Sequence, residues 1–312
     1  MAFPSPTAAY NATDLAAMIN EVWTNMVLEA RFEGLTIINH ATDLSEYMSE
    51  GGDIAHVPNI YTNLFTVSTQ TTEGDGVVDQ SPAQVDVTLT VNTHKYIAFV
   101  IGDKDMKQLA SKYSLNEKYM KEATRLCLQA IEDALFALEA SVTTNTTGSA
   151  VGAVTDLHIR TAIQKLTSSS GNVFPTSEMA FFWDPAIYWL QITAYQKYYD
   201  KSINGVDSVV ATGNFGPMGS GNSAYVGKLY NIPCYISPRV VKATNVAQNL
   251  LLHKEAFGFA IQNLGANRVR PQVSYLHQNL ATLATVDTIF GVGVLREVAA
   301  CLIEGLNTTT VA

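Results

Sequence analysis

The sequence predicts an α+β protein on the strength of three observations. A stretch from Ser114 to Thr143 keeps helical spacing without a Gly or Pro. A long β-hairpin pattern stands immediately before it. After it, short helical and strand patterns alternate in a compact α/β region. The helix would be a rod of roughly 45 Å, long for a globular protein.

Taken in order, residues 1–12 read as an arm. Thr13 or Asp14 can cap a helix that runs to about Phe32, with Leu15, Met18, Ile19, Val22 and Met26 on one face. The less regular TIINHATDLSEYM leads to a break at Gly51 and Gly52. DIAHVPNIYTNLFTVS then reads as an extended arm in which Pro58 marks an edge. Gly74, Asp75, Gly76 and Pro82 supply turn chemistry. On the return strand Val85, Val87, Leu89 and Val91 point one way, and Gln84, Asp86, Thr88 and Thr90 the other. The run YIAFVI is wholly apolar and predicts a strand entering a core. Such a hairpin is too long for its tip to be buried in a globule. Its apolar face predicts a contact completed by a neighbouring subunit.

The long helix opens on a capping box, Ser114 with Glu117. Its stripe is read as Tyr119, Ala123, Leu126, Ala130, Ala134 and Leu138, flanked by Met120, Cys127, Ile131 and Leu135. TTNTTGSAVGAV is a linker, and Asp156–Thr167 a second amphipathic helix with Leu157, Ile159, Ile163 and Leu166 as its apolar positions. EMAFFW is a buried strand. Asp184 as N-cap and Pro185 at the first helical position start another helix to about Gln196. Gly205 to Gly227 is loop. AYVGKLYNIPCYIS and LLLHKEAFGFAI are core elements, RPQVSYLHQNLATLATVDTIF gives long strands, and FGVGVLREVAACLI closes the fold. No internal repeat is present.

The net charge of −9 argues against a nucleic-acid reader with a basic stripe. The excess is local. No Lys or Arg occurs from Phe32 to His94, where Glu33, Asp43, Glu46, Glu50, Asp53, Glu73, Asp75, Asp79 and Asp86 lie. A segment this one-sided sits in solvent or faces positive charge. The densest basic run is Lys104, Lys107, Lys112, Lys118, Lys121 and Arg125. The predicted inter-subunit contact therefore joins Glu73, Asp75 and Asp79 to Lys104, Lys107 and Lys112, beside Val85, Val87, Leu89 and Val91. The N-terminus shows no signal-peptide pattern and no apolar run approaches a membrane span. Cys127, Cys234 and Cys301 form no motif and read as buried thiols of a reducing compartment.

No active site is visible. The glycine-rich stretch ending at Gly227-Lys228 has Asn222 and Leu229 where a phosphate loop needs Gly and Ser or Thr. GVGVL lacks the third glycine of a dinucleotide fingerprint. His40, His56, His94, His158, His253 and His277 are scattered without ligand spacing, and no Ser lies in GxSxG. No catalytic residue, metal or cofactor is expected.

The order of these phrases resembles the major capsid proteins of tailed double-stranded DNA bacteriophages. EVWTNMVLEA precedes GGDIAHVPNI and the hairpin; the long helix, GKLYNIPCYIS and NLLLHKEAFGFAIQ follow. The resemblance implies the Hong Kong 97-like capsid fold. Residues 1–50 would be an N-arm and helix, 51–96 the extended loop, and 97–147 a peripheral domain with the spine helix. Residues 148–265 would be the axial domain, and 266–312 peripheral return strands with a closing axial segment. It implies self-assembly into hexamers and pentamers around packaged DNA, in a virion capsid assembled in the host cytoplasm. The implied partners are other copies of the chain, a portal protein, and separate scaffolding and cement proteins, with no membrane and no sequence-specific DNA binding. Little room precedes the first helix for a scaffolding domain. Some members of that family cross-link a loop Lys to a neighbour's Asn. The loop from Asp53 to His94 has no Lys, which predicts a shell held without covalent bonds. The alternatives are an encapsulin-type shell, which encloses cargo enzymes, and a soluble α/β enzyme with a dimerisation arm.

Overall fold

A computed structural model describes residues 35–48, 51–59, 65, 67–69, 76, 79–80, 85–104, 115–168, 173–192, 224–262 and 269–307. The expected N-terminal helix, Ser114, residues 193–196 of the expected helix, the expected loop up to residue 223, Glu73, Asp75, Lys107 and Lys112 lie outside these residues, while Tyr225 to Gly227, expected as the loop's end, belong to a strand.

The described strands are β1 (Thr42–Asp43), β2 (Ile54–Asn59), β3 (Val85–Thr90), β4 (Thr93–Gly102), β5 (Thr146–Ser149), β6 (Met179–Trp183) and β7 (Tyr225–Leu229). They continue with β8 (Ile232–Ile236), β9 (Lys242–Ala243), β10 (Val246–His253), β11 (Phe257–Gln262), β12 (Arg270–Leu276), β13 (Ala281–Val294) and β14 (Ala300–Leu306). The α-helices are α1 (Leu115–Phe136), α2 (Asp156–Thr167) and the single turn α3 (Pro185–Ile187).

One five-stranded sheet is built on β13. It pairs with β4 over residues 281–290, so β12 and β11 share its other edge in succession, and β1 adds in parallel to β11. A second sheet runs β5-β14-β10-β6-β8-β7, with β9 also on β10. The ribbon β2–β3 is a separate antiparallel pair. The sheets share one apolar cluster, which takes Phe181, Phe182, Leu250 and Leu251 from the larger sheet and Phe257, Phe259 and Phe290 from the smaller.

α1 lies on the five-stranded sheet through Ala123 and Cys127, against Val286, Ile97 and Val269. The buried lane on it is Ala123, Cys127, Ile131 and Leu135. Tyr119 and Leu126, placed in the stripe by sequence, are 48% and 40% exposed. The two apolar lanes lie side by side on the helix, and packing against β13 selects one. The helix tightens to a 3-10 turn over Ala137–Ser141.

α2 has the expected bounds. Thr155 caps it, accepting from the His158 N–H while His158 Nδ1 accepts from the Thr155 N–H. Leu157 is exposed, whereas Ile159, Ala162 and Leu166 are buried. β6 is fully buried, as its apolar run predicts. Asp184 caps α3 with Pro185 at its first position, and residues Tyr188–Ile192 continue as a π-helical turn.

Two expectations are corrected. YIAFVI does not enter a core on both faces: Ile97 and Phe99 face α1, while Tyr96 and Val100 on the opposite face are 71% and 53% exposed. The other concerns the hairpin's apolar face, whose Leu89 and Val91 pack within the chain. The chain passes from one sheet to the other at residues 254–256, since β11 pairs with β13.

Candidate assembly surface

The ribbon is seated by a small cluster of its own. Leu89 and Val91 are buried against Leu44, Met48 and Ala260, with Ala55, Val57, Ile289 and Leu295 packed alongside. One bond extends the ribbon's own pairing and a side-chain bond ties its approach to β11. The Val91 N–H donates to Asp53 O at 2.7 Å, and Gln262 Nε2 donates to Gly52 O at 2.6 Å. Gly51 and Gly52, at φ 108° and 113°, make the approach turn that other residues rarely adopt. At Gly291 the corner after β3 crosses β13 so closely that a Cβ would stand 2.2 Å from Thr90 O.

This corrects the reading of the hairpin face. Leu89 and Val91 find their apolar partners within the chain, so neither side chain is available to a neighbour. Val87 is only partly buried, opposite Val57, and lies outside that cluster. Of Val85 the strand backbone alone is described. The ribbon is thus anchored at its base. Beyond the base its outer face is polar, with His56 paired to Asp86 across the strands.

Asp79 and Lys104 are both exposed. On the open face of the five-stranded sheet, Arg270 makes a two-pronged contact with Asp287 at 3.1 and 2.8 Å, and His94 Nε2 lies 3.2 Å from the same carboxylate. The Arg270 guanidinium holds the Asp287 carboxyl below its usual range. Beside them stand Tyr96 and Val100.

A second polar cluster lies where the chain passes from one sheet to the other. His253, at the end of β10, is 3% exposed and packs on Phe174 with ring centroids 4.9 Å apart. Its Nδ1 accepts from the Glu255 N–H at 3.3 Å. Its Nε2 lies 3.2 Å from a Glu178 carboxylate oxygen, near enough for attraction but outside hydrogen-bond alignment. Arg296 pairs with Glu255 at 2.9 Å and lies over Phe174, 4.7 Å from its centroid. His40 joins through Nε2, 3.1 Å from Leu252 O. Sequence inspection passed over this group because its members come from four separate stretches. Burial pushes both histidines below the ordinary imidazole range.

Two carboxylates act as clamps. Glu132 on α1 is buried and accepts from the Thr36 N–H and hydroxyl, fixing the segment that precedes β1. Burial raises its pKa despite those donors. Glu297 accepts from the N–H and hydroxyl groups of Thr143 and Thr144, each at 2.8–2.9 Å. The backbone donors come first among the causes that hold its pKa down at about 2.

Among the described residues no group of three His, Cys, Asp or Glu could hold a metal ion, and no helix is long and apolar enough to cross a membrane. The three cysteines are buried, and desolvation pushes Cys234 and Cys301 up to about 12. Thiols held protonated in this way are poor nucleophiles.

No protein-family model matches the chain, and no curated protein matches its sequence. Solved structures do match. A structure from Mycobacterium phage Che8 aligns with a TM-score of 0.69 and 16% identity, covering 95% of this chain and 98% of the other. The mature capsid of bacteriophage PhiM1 aligns at 0.66 and 13% identity, covering 92% and 91%. The holo-SrpI encapsulin complex of Synechococcus elongatus aligns at 0.60 and 13% identity, covering 97% and 98%. The fold of this chain is that of phage capsid and encapsulin subunits.

Proposed function

We propose that this chain is a structural protein, the major capsid protein of a tailed double-stranded DNA bacteriophage. One observation carries the reading: the fold corresponds to capsid structures over nine-tenths or more of both chains, with no large part left over on either side. In this reading the fold is Hong Kong 97-like. The five-stranded sheet with α1 is the peripheral domain, the seven-stranded sheet with α2 the axial domain, and residues 51–96 the extended loop. Copies associate as hexamers and pentamers of a closed shell around packaged DNA in the host cytoplasm. A portal protein and separate scaffolding and cement proteins complete the particle.

The contact between copies joins the acidic loop, with Glu73, Asp75 and Asp79, to Lys104, Lys107 and Lys112. Leu89 and Val91 serve it indirectly, by holding the ribbon's base to its own subunit. The second reading is an encapsulin-type shell, supported by the equally complete match to the SrpI complex.

Electron microscopy of the purified protein tests the shell itself. Closed icosahedral particles are expected, and a population of dimers alone would overturn both shell readings. Particles recovered from infected cells should protect double-stranded DNA from nuclease. Particles that hold a cargo protein and no DNA would favour the encapsulin reading instead.

A further inference from the structure

We infer that the joint between the two sheets is an acid-sensitive hinge, with the His253 imidazole as its proton-binding element. The inference concerns the subunit alone and holds whether or not copies form a shell. The strand β10 ends at His253 in one sheet, and β11 begins at Phe257 in the other. The three residues between them are tied down from several sides. Lys254 donates its N–H to Glu178 O, and Thr42 Oγ1 donates to Lys254 O. The N–H groups of Leu295 and Arg296 both donate to Ala256 O.

The tautomer of His253 follows from its contacts. Nδ1 accepts the Glu255 N–H, so in the neutral ring the proton sits on Nε2, facing Glu178. A proton added to Nδ1 would point directly at the Glu255 N–H. Two donors cannot share one bond, so this side-chain contact must open, which loosens the turn that the Ala256 N–H closes on His253 O at 2.9 Å. The surrounding charges pull in both directions. Glu178 and Glu255 favour the protonated ring, while Arg296 disfavours it. His40, whose own ring faces His253, Lys254 and the Leu252 carbonyl, is a second imidazole that burial holds below its ordinary range. Burial is the largest influence on both rings, so both are neutral at pH 7.

The sign is then fixed. Each imidazole has a folded-state pKa below its ordinary 6.5, so the opened form binds more protons than the closed one. The closed joint is fully stable above about pH 6.5 and loses stability as pH falls below that value.

The test is amide hydrogen exchange of residues 254–256 at pH 7.5 and pH 5.0, corrected for intrinsic exchange, on the full chain and on His253→Asn. Asparagine places a non-titrating acceptor near the Nδ1 position. The wild type should lose tenfold or more of its protection at pH 5.0, and His253→Asn at most a third of that loss, the remainder coming from His40. Equal losses in both, or no loss in the wild type, would overturn the inference. Should His253→Asn fail to fold, the imidazole signals of the wild type decide. A His253 that titrates below 6.5 from the Nε2–H tautomer supports the hinge, and the Nδ1–H tautomer or a pKa at or above 6.5 overturns it.

Discussion

Gly291 and Gly293 stand two residues apart on one face of β13, and they should answer a methyl group very differently. At Gly291 an added Cβ meets Thr90 O at 2.2 Å and the Thr90 C and Val91 Cα atoms at 2.8 Å. The first is about 1.2 Å inside ordinary contact at 3.4 Å, and every atom met is backbone. At Gly293 the Cβ would meet only the Leu89 side chain, at 3.6 and 3.7 Å. Overpacking of this kind costs about 1–3 kcal/mol when side chains can shift. Backbone cannot, so Gly291→Ala belongs at about 3 kcal/mol. Relief by lifting the ribbon corner would expose Leu89 and Val91, roughly 1.5–3 kcal/mol each. Lifting therefore costs at least as much as the strain, and the ribbon stays seated while the protein is weakened. Equilibrium urea unfolding should show Gly291→Ala destabilised by about 3 kcal/mol and Gly293→Ala within about 0.5 kcal/mol of wild type. Two variants of equal stability would refute the close crossing of Thr90 over β13.

Other outcomes are as definite. Glu297 has its pKa held at about 2 against an ordinary 4.5, so its contribution is complete above pH 4.5 and is lost as pH falls toward 2. The ceiling of about 3.4 kcal/mol is reduced by solvent screening to roughly 1–2 kcal/mol. Glu297→Gln should be weaker than wild type by that amount at pH 7 and indistinguishable from it near pH 2, measured by urea unfolding at each pH. The triple variant Lys104→Glu, Lys107→Glu, Lys112→Glu should lower particle yield in sedimentation, because contacts worth only about 0–1 kcal/mol each recur at every subunit of a shell. Undiminished yield would remove those lysines from the interface. Particles boiled in detergent under reducing conditions should run as one monomer band, and a ladder of covalent oligomers would show that an amine outside the loop reaches a neighbour.

The parts of the fold that were legible in the sequence are those fixed by local chemistry. The helix Asp156–Thr167 has a polar cap and forms with the expected bounds, although Leu157 stays outside its buried lane. Asp184 and Pro185 start a helix because one accepts the Ala186 N–H and the other lacks the donor that would be orphaned. What was not legible depends on distant partners. No Gly or Pro stops α1, yet it ends at Phe136 and the chain then turns where Glu297 holds the amides of Thr143 and Thr144. Continuous apolarity in YIAFVI could not reveal that only one face is covered. Alternation in β3 gave the right faces for Leu89 and Asp86, but whether Leu89 met its own subunit or another was decided by Leu44, Met48 and Ala260. His253, Glu178 and Arg296 carry no shared motif, since their meeting is a product of the topology.

That topology also limits what the joint can do. The apolar cluster passes without a break from Phe182 and Leu250 on one side to Phe257, Phe259 and Phe290 on the other. The sheets are therefore packed together rather than tethered. Exposing those three phenylalanines of the smaller sheet would cost roughly 5–9 kcal/mol. A pKa difference of one corresponds to about 1.4 kcal/mol, and even fully buried groups move by no more than about 3–5. Protonation of an imidazole could match that cost only at the extreme of this range. It acts directly only on the Glu255 N–H contact, one of several hydrogen bonds on the turn, each worth about 0.5–1.5 kcal/mol net. Acid should accordingly free residues 254–256 while the phenylalanine cluster stays closed.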